Sequence, residues 1–262
     1  MIPEFALQLI CGLSTVWCIA PRSQITSGFF RIQMLIALGL SVLLFLTSNQ
    51  FPTPHANEQV LSQLVVGASI LLGLLAFSGS VAWTLERRKG GTIFAYLLAT
   101  SSMITLVTVA MLLSANSTET PRTVSTATLA AIADTVSAAW LIGSVTSAML
   151  LGHWYLTATG MPLKPFTQYN VIFLVAATLR MGATLFSYSS QGVGVDSSWG
   201  LLTLRWAGLI GPFIIAILTI RILRYRNTQS ATGVLYAATT LVFMGEMAAN
   251  LIEQSHAIPT QL

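Results

Sequence analysis

The chain has 262 residues, 54% apolar and 8% charged, with a mean hydropathy of +0.76. Soluble domains carry about 25% charged residues, so 12 basic and 8 acidic side chains cannot cover a water-facing surface of this size. Lipid is the expected solvent. A spanning helix takes about 20 apolar residues, so eight spans would use most of the length and leave no room for a soluble catalytic domain. The sequence pI near 9.4 does not mark a nucleic-acid partner, because the basic residues fall in small groups between apolar runs rather than along one face.

In chain order, apolar runs predict helices over 3–21, 31–48, 60–84, 92–114, 125–152, 166–188, 199–222 and 229–252. The expected fold class is all-α: a polytopic integral membrane protein with a single eight-helix transmembrane domain over 1–262, packed as two four-helix groups. The first run follows Glu4 without a basic leader, so it reads as a retained span rather than a cleaved signal. Cys11 and Cys18 stand about 10 Å apart along that one helix, beyond disulfide reach. Breaks fall at Asn49 to Pro54, Glu86 to Gly91, Asn116 to Arg122, Gly160 to Pro165, Ser189 to Ser198 and Arg224 to Asn227.

Orientation follows from the positive-inside rule. The connections after helices one, three, five and seven hold Arg22, Arg31, Arg87, Arg88, Lys89, Lys164, Arg221, Arg224 and Arg226, whereas the opposite set holds Arg122 alone. Both termini are therefore expected outside, in the periplasm of a bacterial cell, with the chain multi-pass in the inner (cytoplasmic) membrane. The basic turn at 221–226 suits anionic lipid headgroups, and Ser230 or Thr228 can cap the helix after it. Gly67, Gly73, Gly79, Gly143, Ser147 and Gly152 permit close helix packing. Gly211-Pro212 is a candidate kink. No sequence motif repeats between the two halves.

The inventory excludes several chemistries. Of His55, His153 and His256, only one lies at a helix end and two fall in outer polar segments, so no bis-histidine haem is expected. Lys89 and Lys164 lie in connections, which removes an intramembrane Schiff base. Neither a His-Glu-x-x-His zinc motif nor a Gly-x-Ser-x-Gly elbow occurs. A second span aspartate for proteolysis is missing, as is a glycine-rich phosphate loop. No haem and no metal are predicted.

Four ionisable residues remain within spans: Asp134, Arg180, Arg205 and Glu246, in helices five to eight. Charges there are costly and usually face the bundle interior in pairs. Counted from the outer helix ends at about 1.5 Å per residue, Asp134 lies ~15 Å deep, Arg180 ~12 Å, and Arg205 and Glu246 ~9 Å. Two acids and two bases at one level suggest mutual pairing. Two uses are open. One is a buried network that fixes helix register. The other is a pocket in which Asp134 or Glu246 accepts a proton and Arg180 or Arg205 polarises a carbonyl or anion, as a quinone headgroup requires. His153, in Gly152-His153-Trp154-Tyr155, is either part of an interfacial aromatic belt or an inner quinone or proton site. Glu4 and Gln8 either join the outer cluster or face water, and Tyr188, Trp199 and Trp206 read as belt anchors.

Leu204-Arg205-Trp206 and Gly245-Glu246-Met247 resemble short stretches in the membrane-anchor subunits of polysulfide and dimethyl sulfoxide reductases, which are eight-helix, haem-free and quinone-interacting. Asn250 stands where that family often has an arginine. The resemblance implies that Arg205 and Glu246 line a quinone site near the outer face and that electrons pass to a redox partner subunit. The expected function is a membrane subunit of a respiratory or electron-transfer complex, with quinone as cofactor, and with the lipid bilayer and other membrane or peripheral redox subunits as partners. A structural or assembly subunit and a transporter of small anions or protons are the alternatives.

Overall fold

The computed structural model describes residues 2–50, 58–115, 126–158, 160–191 and 199–257. The apolar runs form α1 (Ile2–Ile19), α2 (Ser27–Leu46), α3 (Glu58–Thr84), α4 (Arg88–Ala115), α5 (Thr126–Thr157), α6 (Lys164–Gln191), α7 (Trp199–Arg224) and α8 (Thr228–Ala257). All eight are long and apolar enough to cross a membrane, and no strand occurs among the described residues. Several helices overrun the apolar stretches. α4 starts at Arg88, α5 continues through His153 to Thr157, and α8 reaches Ala257. An apolar run marks the hydrocarbon thickness, whereas the backbone keeps its own hydrogen bonds well into the headgroup region.

α1 to α4 pack as a ring in chain order that closes where α4 meets α1, and α5 to α8 form a second ring closed by α8 on α5. The expected pair of four-helix groups is thus present. The seam between them is built on α1 and α5, with α4 also against α5. Glycine decides how close the seam can be. A Cβ on Gly12 would run into the backbone of Ala139 and Gly143, and one on Gly143 into Gly12 and Leu13. Gly152 likewise lets Thr232 and Phe166 approach, but Gly67, also expected at a tight contact, has nothing within 4 Å of an added Cβ.

The rings also repeat a turn. α3 joins α4 through 85–87 and α7 joins α8 through 225–227, with Glu86 (φ 54°) and Arg226 (φ 56°) in the left-handed region. The duplication is therefore one of architecture, carried by no shared motif. α7 runs unbroken through Pro212. The cap of α8 differs from expectation: Asn227, not Ser230 or Thr228, caps it, its Oδ1 accepting the Ser230 backbone N–H at 3.0 Å. The turn places Asn227 one residue before the first helical position, where a side-chain oxygen reaches the free N–H groups.

Cys11 and Cys18 are free thiols. The turns after α1, α3, α5 and α7 gather at one end of the bundle, which carries the basic residues and is called the basic end below. Residues 51–57, 116–125 and 192–198, and with them His55 and Arg122, lie outside the described residues, as do the side chains of Tyr188, Trp199 and His256.

A charged layer across the second ring

Asp134 and Arg205 lie about two turns into α5 and α7, and Arg180 and Glu246 about three turns before the ends of α6 and α8. Because consecutive helices alternate in direction, these positions coincide at one level. Each helix turns its charge into the ring, where the only alternative is hydrocarbon.

Arg180 is the hub. Its Nε donates to Glu246 Oε1 at 2.9 Å and its Nη2 to Glu246 Oε2 at 2.7 Å, a bidentate pairing. Its Nη1 donates to Asp134 Oδ1 at 2.6 Å and to the Asp134 backbone carbonyl at 2.8 Å, with Ser137 Oγ at 3.2 Å. Arg205 is held more loosely. Its Nη1 reaches Glu246 Oε2 at 3.4 Å and its Nη2 donates to Thr184 Oγ1 at 3.1 Å, while Asp134 Oδ1 stands 3.9 Å away. The layer is electrically closed, two acids against two bases.

Access divides the four. The side chains of Arg180, Glu246 and Arg205 are 1%, 4% and 6% exposed, whereas that of Asp134 is 34% exposed. Arg180, Glu246 and Arg205 are therefore sealed, and Asp134 is the member of the four that opens to the bundle's exterior. The close approach of α7 and α8 sets this geometry. Gly208 and Gly245 face each other so tightly that a Cβ on either would strike the other's backbone. Gly208 is one turn beyond Arg205 and Gly245 directly precedes Glu246, so their contact brings the guanidinium to the carboxylate.

Below the layer, toward the basic end, the second ring is filled by Phe173, Ala177, Ala216, Leu235, Ala238 and Val242, none more than 1% exposed. Four buried hydroxyls at these depths turn back on their own helices, Ser144 to Leu141 O, Thr219 to Ile215 O, Thr232 to Thr228 O and Thr239 to Leu235 O, and the Ser147 hydroxyl is buried without a partner. They make no chain of polar groups between helices.

His153 stands apart from the layer. It lies about 28 Å further along α5, exposed at the basic end, where Nδ1 shares a 3.2 Å hydrogen bond with the Tyr236 hydroxyl. Gln8 is buried in α1 and Glu4 is half-buried one turn earlier. The Phe5 ring packs edge-on against Phe243 at 5.1 Å, which sets this end of α1 beside α8 about a turn from Glu246. Thr184, Ser137, Gly208 and Gly245 escaped the sequence reading as members of the layer. Each stands one residue or one helical turn from a charged member, and that spacing was the available signal.

No family model, curated protein or solved structure matches the chain. The layer has to be read from its own geometry.

Proposed function

We propose that this chain is the membrane subunit of a quinone-linked electron-transfer complex, with a quinone or quinol headgroup bound at the Asp134–Arg205 side of the charged layer. The observation that carries the reading is the asymmetry of access: Asp134 is one-third exposed while the rest of the layer is sealed. A quinol needs an acceptor for its hydroxyl proton and a donor for the oxygen that becomes a carbonyl. Asp134 supplies the first. Arg205, with long contacts to both acids, supplies the second. Arg180 and Glu246 act as the fixed frame that holds Asp134 and Arg205 a few ångströms apart.

The basic-end arginines and lysines support placing that end in the cytoplasm and both termini, with the charged layer, toward the periplasmic face of the inner membrane. On this reading, oxidation of one quinol releases two protons and two electrons. The protons leave through Asp134 toward the near face and the electrons go to a redox centre on a partner subunit. The apolar filling beneath the layer favours proton exchange with the near end over passage through the ring.

The reading is tested by purifying the full chain from its native membranes and identifying copurifying subunits and quinone by mass spectrometry. Asp134→Asn is then assayed for quinol-linked electron transfer. Copurification with a redox subunit, and loss of turnover in an assembled Asp134→Asn complex, are expected. Recovery of the chain alone without quinone defeats the proposal.

A second reading, an assembly or structural subunit whose charges fix register, is favoured by one observation: Arg180 ties α5, α6 and α8 together through five donor contacts. It expects Asp134→Asn to leave turnover of the complex unchanged.

A further inference from the structure

Thr184 lies four residues after Arg180, one turn further along the same side of α6, and is buried. Its hydroxyl is used differently from those deeper in the ring. Thr219, Thr232 and Thr239 donate to carbonyls of their own helices, whereas Thr184 Oγ1 accepts from Nη2 of Arg205, on the next helix, at 3.1 Å. The same nitrogen stands 3.9 Å from Asp134 Oδ1. Two acceptors thus face one donor, and the neutral acceptor is the nearer.

Charge alone gives the opposite order. In a low-dielectric layer an arginine and a carboxylate close to about 2.7–2.9 Å, as Arg180 and Glu246 do. Arg205 and Asp134 stop short of that distance. Branching at Cβ restricts χ1 in a helix, so the Thr184 oxygen is a fixed point on α6, while Glu246 Oε2 holds Nη1 of the same guanidinium at 3.4 Å. Asp134 Oδ1 takes Nη1 of Arg180 at 2.6 Å, and its carboxylate keeps lone pairs for a further donor. The gap suits one ligand oxygen. A closed ion pair would turn the Arg205 N–H and an Asp134 lone pair on each other, whereas across 3.9 Å a single oxygen can lie about 2.8 Å from both.

We infer that Thr184 is a positioning residue of the proposed headgroup site: its hydroxyl holds Arg205 off Asp134 and so leaves the acid and the donor free to meet the same quinol oxygen. This rests on the quinol reading of the layer. The oxygen gives its proton to Asp134 while it accepts a hydrogen bond from Arg205, and Thr184 acts through Arg205 alone. Without the hydroxyl, Asp134 Oδ1 is the acceptor toward which Nη2 collapses, and both groups are then occupied with each other.

The test sets Thr184→Val, which puts a methyl in place of the hydroxyl, beside Thr184→Ser, which keeps it, and Thr219→Val, which removes a buried hydroxyl bonded to its own helix. Crystal structures of the full chain grown from lipid without quinone give the Arg205–Asp134 separation. Quinol-linked turnover of the copurified complex gives kcat and KM. In Thr184→Val the 3.9 Å separation should shorten to hydrogen-bond distance. Its kcat should fall roughly tenfold or more, as for loss of a charge-assisted contact, with KM changing far less, because the contact acts on the reacting oxygen. Thr184→Ser should restore both the separation and kcat, and Thr219→Val should alter neither. An unchanged separation in Thr184→Val, or a shortened one with kcat at the Thr219→Val level, overturns the inference and leaves the quinol reading standing. Absence of quinol-linked turnover in the wild-type complex overturns that reading and with it the use given to the gap, while a shortened separation would still identify Thr184 as what holds Arg205 from Asp134. Should Thr184→Val fail to fold, Thr184→Ala, which removes the hydroxyl without placing a methyl against Arg205, is judged by the same two measurements.

Discussion

Removing Glu246 should damage the protein far more than removing Asp134, although both are acids facing the same arginine. In Glu246→Ala, Arg180 loses contacts at 2.9 and 2.7 Å, and Arg205 loses its only carboxylate contact within 3.5 Å. Arg180, 1% exposed, then keeps a buried charge with two of its three nitrogens unanswered. Breaking a buried pair from one side costs roughly 3–5 kcal/mol. At about 2–4 °C per kcal/mol for a chain of this size, the midpoint of thermal unfolding should fall by roughly 6–20 °C. The assay is thermal unfolding of detergent-solubilised protein followed by circular dichroism, set beside the double variant Arg180→Met with Glu246→Leu. That variant removes both charges, leaves Asp134 and Arg205 to pair across their 3.9 Å gap, and should be more stable than Glu246→Ala alone. A Glu246→Ala shift under about 2 °C, or a double variant that loses the sum of the single effects, would refute the reasoning.

The remaining predictions use the same measurements. Asp134→Asn keeps the shape and most hydrogen bonds of an already accessible side chain, so its midpoint should move less than that of Glu246→Ala while quinol-linked turnover is lost; a large unfolding shift with turnover intact would reverse the roles given to the two acids. Gly208→Val forces a side chain into the Gly245 backbone, so α7 and α8 must separate and Arg205 withdraws from Glu246; overpacking of this kind costs about 1–3 kcal/mol, and both stability and turnover should fall. His153→Phe removes one exposed 3.2 Å hydrogen bond far from the layer and should change stability by no more than about 0.5 kcal/mol, with turnover unaffected. A turnover defect in that variant would point to an inner site the geometry does not provide.

The sequence made the helices legible because each span announces itself by length and hydropathy, and the four intramembrane charges legible because nothing else in a span costs so much. Their shared depth followed from counting residues to the helix ends. What counting cannot give is rotation about each helix axis, and rotation decides who meets whom. Rotation makes Arg180 rather than Arg205 the hub and leaves Asp134 rather than Glu246 open, and the glycine contacts at Gly12–Gly143 and Gly208–Gly245 show how closely the helices that carry these groups approach. Glycines occur throughout the spans, and those at Gly67 and Gly182 meet nothing within 4 Å of an added Cβ. Composition does not distinguish a seam glycine from a lipid-facing one. The two expected four-helix groups share a path without sharing a motif, because an up-and-down ring needs only short turns and apolar faces, which many sequences supply.

The division of the layer into three sealed members and one open acid connects its two proposed uses. A carboxylate that exchanges protons inside a membrane must be able to become neutral without dismantling its surroundings. Were Asp134 the sole partner of Arg180, each protonation would strand a buried cation. Instead Glu246 answers two of the guanidinium's nitrogens and the Asp134 backbone carbonyl helps to answer the third, so Arg180 keeps a counter-ion whichever state Asp134 is in. The register clamp is in this sense the condition for the proposed proton site. A clamp of α6 on α8 needs only Arg180 and Glu246. Asp134 ties α5 into the network under either use, but a register role asks for no exposure of its carboxylate, whereas the proposed headgroup, bearing one proton and one carbonyl oxygen, does.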